Sequence, residues 1–158
     1  MIHATLCYVV TEGKVLLIKK KKGIGAGKYN GPGGKIEENE PVDAAAIREI
    51  EEETGVTPLD MRHVGTLAFY NGQEEKPDWF VHVFLATKFS GEPVNTEEAD
   101  PEWFEIAKIP YSNMHPDDRF WMPLMLEGKR FMGKFYFDKE MKNILKHELV
   151  TINETSIL

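Results

Sequence analysis

Along the first ten residues Ile2, Ala4, Leu6, Tyr8 and Val10 share one parity, and Thr5, Cys7 and Val9, on the other, are not strongly polar. The pattern predicts a strand over 2–10 buried on both faces. Glu12-Gly13-Lys14 reads as a turn and Val15 to Ile18 as the returning strand of a hairpin. Six glycines follow between Gly23 and Gly34, a loop in which backbone can approach a ligand closely. Pro41 to Glu53 is the clearest helix: proline suits the first helical position, Ala44-Ala45-Ala46 favours helix, and Gly55 stands where a left-handed cap is expected.

Further on, strands are predicted near Val64 to Tyr70 and Phe80 to Thr87, flanking a loop from Asn71 to Asp78, and again from Glu102 to Ile106. Pro116 to Leu126 has Trp121, Leu124 and Met125 at core spacing and reads as a second helix. Alternating apolar residues from Phe131 to Phe137 give a late strand, with Ile144 to Ile152 as its candidate partner. Without repeats or linkers, the 158 residues make one mixed α/β domain over 1–152, followed by a frayed tail at 153–158.

Composition narrows the function. The 19 Lys and Arg against 26 Asp and Glu leave a formal charge of −7, which disfavours nucleic-acid polymers and anionic membranes as partners but not a small anion held by a local cluster. The single cysteine, Cys7, forms no internal disulfide, and a reducing cytoplasm is the simplest compartment. The start has no basic leader, and runs such as Trp79 to Ala86 are too short to span a bilayer.

The informative stretch is Arg48-Glu49-Ile50-Glu51-Glu52-Glu53. At about 100° per residue, Glu49, Glu52 and Glu53 share a helical face with Val42, Ala45 and Ala46, which belongs inward. Like charges at this spacing repel, and anions in a last turn oppose the helix dipole by about 0.3 to 1 kcal/mol each. One reading is a solvated acidic face with Arg48 paired to Glu52. The other is an oxygen-only ligand set suited to Mg²⁺ or Mn²⁺, hard cations that keep positions open for water and phosphate.

Gly34, Glu40, Arg48-Glu49-Ile50, Glu52-Glu53 and Gly55-Val56, at their spacings, match the Nudix box at every defined position. The chain therefore resembles the Nudix hydrolase superfamily. Gly23 to Gly31, Val81-His82-Val83-Phe84 and Pro116-Asp117-Asp118 with Trp121 and Pro123 extend the resemblance to its MutT-like branch of 8-oxo-dGTP diphosphatases. It implies an α/β/α sandwich with a mixed sheet, and hydrolysis of a nucleoside triphosphate to monophosphate and pyrophosphate by a monomer or, alternatively, a dimer.

By that resemblance Glu52 and Glu53 bind Mg²⁺ (or Mn²⁺), Glu49 joins them or orients the attacking water, and the Gly34 carbonyl is a further ligand. Arg48 holds Glu49, and Glu98 is a candidate ligand or base. Lys20 faces substrate, with the run Lys19 to Lys22 supplying a local positive field. Asn30, Asp117 and Asp118 read the base, and Thr5 lines the pocket. Two adjacent acids in one pocket should have divergent pKa values, although Pro and Asp are also what a helix N-terminus favours. His115 and Ile24 stand where the branch has a tryptophan and a phenylalanine, which weakens the stacking expected for an oxidised purine.

Neither a P-loop nor a Rossmann site fits. Tyr29 follows Gly27-Lys28 where Ser or Thr is required, and position 28 lacks the third glycine of a dinucleotide fingerprint. Other Nudix substrates, ADP-ribose, dinucleoside polyphosphates or prenyl diphosphates, and a noncatalytic nucleotide sensor are the competing readings. A sensor has no need of Glu49, Glu52 and Glu53 together.

Overall fold

The computed structural model describes residues 1–152, so the predicted tail at 153–158 lies outside the described residues. Strands β1 (Ile2–Thr11), β2 (Lys14–Lys20), β3 (Tyr29–Asn30) and β4 (Gly33–Lys35) precede helix α1 (Val42–Thr54). Then come β5 (Thr57–Pro58), β6 (Arg62–Asn71), β7 (Trp79–Ala86), β8 (Phe89–Ser90) and β9 (Ala99–Glu105), two short 3₁₀ turns, α2 (Asp118–Leu126), β10 (Arg130–Phe137) and β11 (Ile144–Ile152). The main sheet runs β11-β10-β6-β7-β1-β2-β3, with β4 also on β1 and β9 on β2; β5 and β8 form a separate pair. It is mixed, since β1 runs parallel to β7 and β10 parallel to β6.

Each helix covers one face. Ala46 and Ile50 of α1 are buried with Cys7, Val9, Leu16 and Phe84. Trp121, Met122 and Met125 of α2 are buried with Tyr8, Leu67, Val83, Phe131 and Phe135 on the opposite face. Burying a large apolar side chain contributes about 1.5–3 kcal/mol, so the alternation along β1, serving both layers, ties the helices to one sheet. The expected pairing of the two late strands is present, antiparallel from Arg130↔Ile152 to Phe137↔Ile144.

One local expectation is corrected, and a second holds over a short length. Pro41 is the N-cap of α1 and not its first helical residue, with extended ψ of 146°, so the helix opens at Val42; Gly55 caps its end at φ 80° as predicted. The β1–β2 hairpin holds for only two pairs, Val10↔Val15 and Thr11↔Lys14. Beyond them the Gly33–Lys35 segment takes over the β1 edge, pairing Leu6, Thr5 and Ala4. A Cβ at Gly33 would lie 1.9 Å from the Thr5 carbonyl oxygen, so only glycine admits this approach.

Candidate active site

The carboxylate face of α1 is held in place by Arg48. Its Nε donates to Glu40 Oε2 at 2.7 Å and its Nη2 to Glu40 Oε1 at 2.9 Å, a bidentate clamp. Nη1 donates to Glu49 Oε1 at 2.9 Å, and Nη2 reaches the Lys35 carbonyl at 3.2 Å. The expected Arg48–Glu52 pair is the longer contact, at 3.4 Å. Glu40, a defined position of the box to which sequence reasoning gave no role, is thus the arginine's main partner. The hydrogen bonds from Arg48 hold its carboxyl down at about 2.

Glu53 is buried and accepts a hydrogen bond from the Gly33 N–H at 2.7 Å. Burial pushes its carboxyl up to about 8, with Glu49 and Glu98 adding to the rise and Lys20 opposing it. Burial also raises Glu49, against the pull of Arg48, while Glu52 and Glu98 raise it further. The Glu49 carboxylate rests on the backbone of Gly34, where a Cβ would lie 2.6 to 2.7 Å from it. Glu49, Glu52, Glu53 and Glu98 therefore share one electrostatic neighbourhood.

Among the described residues, no three His, Cys, Asp or Glu side chains are already gathered at metal-ligand spacing. The donor set is nevertheless all oxygen, crowded with like charge, and opens onto glycine backbone. These features suit a hard divalent cation, which would favour the ionised carboxylates.

The lysine run separates. Lys21 pairs with Asp100 at 2.8 Å and Lys19 lies over the Tyr29 ring, 5.9 Å from its centroid. Lys20 bears on the site, its charge lowering both Glu53 and His115. Lys19 and Lys21 are thus engaged elsewhere, as expected where successive residues point to opposite faces.

Asp117 and Asp118 are buried, and neither behaves as a helix cap: Asp117 occupies the N-cap position of α2 but makes no capping hydrogen bond. Instead the Trp121 Nε1–H donates to Asp117 Oδ2 at 2.8 Å. Burial raises both carboxyls, and Asp118 much the more because Asp117 stands beside it. The expected divergence takes this form, with both raised and Asp118 the one that keeps its proton.

Tyr8, overlooked in the sequence, sits against this pair. Its hydroxyl is raised by burial and by both acids, and its ring meets Trp121 edge-on at 5.7 Å. Its parity on β1, opposite to that of Cys7, was the available signal. Asn30 and His115 meet at the glycine loop, where a Cβ at Gly25 would stand 3.5 Å from Asn30 Nδ2 and 3.8 Å from His115 Nε2. Burial lowers the His115 pKa, keeping the ring neutral. Ile24 is largely exposed and walls nothing.

Strand alternation puts Thr5 with Cys7 and Val9 on the α1 side, its hydroxyl buried without a hydrogen-bond partner. It is therefore separated by the sheet from the aspartate pair with which it was expected.

The chain thus sets a mixed sheet between two helices, with an arginine-clamped glutamate face on one and a buried acid pair at the start of the other. A family model described as NUDIX domain matches residues 1–125, and the chain belongs to that family. Such hydrolases work with a divalent metal on small nucleotide substrates.

Two relatives are described as oxidized purine nucleoside triphosphate hydrolase. The one from Danio rerio is 44% identical over 151 residues, covering 95% of each chain, and that from Mus musculus is 40% identical over 146 residues, covering 92% of each. A crystal structure of the mutator MutT protein from Bacillus halodurans superposes with a TM-score of 0.83 at 27% identity, over 94% of this chain and 97% of that one.

Proposed function

We propose that this Nudix hydrolase converts oxidised purine nucleoside triphosphates, such as 8-oxo-dGTP, to monophosphate and pyrophosphate, with Mg²⁺ as its ion (Mn²⁺ substituting). Its role is then nucleotide-pool sanitation, carried out in the cytoplasm by a monomer. The observation that carries the substrate is the buried Asp117–Asp118 pair, and the relatives' descriptions support it. A carboxyl that keeps its proton donates to the purine O6, and its ionised neighbour accepts from the N–H edge. Asn30 and His115 complete the rim of that pocket.

Glu52, Glu53, Glu49, Glu98 and the Gly34 carbonyl hold the metal in this reading. Once bound, the ion neutralises phosphate charge and acidifies a water. Arg48, fixed by Glu40, keeps Glu49 aimed where a water is to be deprotonated. Lys20 meets phosphate charge, and the unpartnered Thr5 hydroxyl, on the α1 side, serves the phosphate end and not the base.

The test is a panel of triphosphates, ADP-ribose and dinucleoside polyphosphates with product analysis. Pyrophosphate is expected from an oxidised purine triphosphate with the highest kcat/KM. No pyrophosphate from any triphosphate would overturn the reading, and no metal-dependent turnover at all would favour a sensor.

A further inference from the structure

On the outer side of α2 lies a groove of about 400 Å³, within the range of roughly 300–1,000 Å³ typical of small-molecule sites. No residue of the carboxylate helix lines it. Three cations do, each from a different segment: Lys28 from the glycine loop, Arg119 from α2 and Lys142 from the turn before β11. No carboxylate is among the lining residues, in a chain whose acids outnumber its bases 26 to 19.

Among the described residues Lys28 and Arg119 form no ion pair, and Lys142 has only a loose contact of 3.8 Å with Glu140. Like charges gathered without counter-charge repel one another, and a bound anion relieves that repulsion. The rest of the lining is mixed, with Tyr111, Ser112 and Asn143 beside apolar side chains. Met114 and Pro116 lie in its wall, and the Phe120 ring, packed on one side against His147 at 4.6 Å, is 40% exposed. An aromatic face beside three cations suits a ligand that joins a flat ring to a phosphate.

We propose that this groove is a second nucleotide site, distinct from the base pocket, which takes a nucleoside monophosphate with its base against Phe120 and its phosphate on Arg119, Lys142 and Lys28. The two sites share a wall. Asp117 and Asp118 turn inward from the start of α2, while Pro116 and Arg119, their immediate neighbours, turn outward to the groove. A nucleotide held outside therefore bears on the position of the acid pair inside.

The experiment is equilibrium binding of guanosine 5′-monophosphate to the full chain in metal-free buffer, comparing wild type with the double variant Arg119→Gln/Lys142→Gln. Both positions are exposed, and neither belongs to the carboxylate site or the base pocket. Affinity at this site is expected to be at least about tenfold weaker in the variant, so that at the concentration that just fills the wild type the variant holds close to one nucleotide fewer per chain. Its circular dichroism and its turnover without added monophosphate should be unchanged.

Because the readout is the difference in count, it holds whether or not the base pocket itself binds the monophosphate, and so fails separately from the proposed hydrolysis. Equal counts for wild type and variant would overturn the site. Displacement of the second nucleotide by an equal concentration of inorganic phosphate would overturn its assignment to a nucleotide.

Discussion

At the residue scale the structure separates side chains that the sequence grouped together. Arg48 was legible as a partner of the acids, but its bidentate bond is to Glu40, eight positions upstream. Nothing in helical spacing reports that contact, because Glu40 precedes the helix and reaches it through the turn at Pro41. Glu40→Gln leaves Arg48 with one weaker acceptor and Glu49 less firmly aimed. We expect kcat to fall at least about tenfold with KM little changed, as steady-state kinetics will show.

Asp118 gives a second case. Its folded pKa is raised, so the native state keeps a proton that the unfolded chain releases near about 3.9. The sign follows from linkage: the stability this group contributes is fully present below the unfolded value and is lost as pH rises toward the folded one. Asp118→Asn removes that slope. Thermal denaturation across pH should show the variant melting about 2 °C or more higher at pH 7, with the difference vanishing in acid. Where Asp118 loses its proton on the alkaline side, KM for a purine triphosphate should rise in the wild type and stay flat in the variant.

At the scale of elements, local periodicity controls the parts legible in the sequence. The two helices, the Gly55 cap and the late antiparallel pair come from patterns of a few residues. The expected hairpin forms as well, but its length depends on a competitor: the glycines of β4 claim the β1 edge after two residue pairs. The glycine loop shows the same dependence on packing. A Cβ at Gly31 would stand 2.3 Å from the Tyr8 ring. Gly31→Ala should therefore push Tyr8 off the acid pair and destabilise the fold by about 1–3 kcal/mol, measured by urea denaturation. An unchanged midpoint would show that the ring moves aside freely.

For the whole molecule, the formal charge of −7 takes on a different meaning once the acids are placed. Several of them crowd one end of α1, where a divalent ion would offset their repulsion, and Lys20 lowers Glu53 among them. Ion binding to the folded state alone stabilises it by mass action, by about 2.7 kcal/mol at a hundredfold excess over Kd. We expect Mg²⁺ to raise the melting temperature of the wild type but not of Glu53→Gln, which should lose turnover by about a thousandfold or more while keeping its fold. Chelation should abolish activity reversibly; turnover in a chelator would remove the metal from the reaction.

By itself the sequence determined the element types, the family and the acids of the box, since these are written in local spacing and in residue type. Only the tertiary structure decided that Glu40 clamps Arg48, that Tyr8 joins the aspartate pair, that Thr5 lies across the sheet from it, and that three cations meet in one groove. Those depend on which distant segments pack together, and burial and the approach of unlike strands are properties of the assembled sheet, not of any stretch of chain.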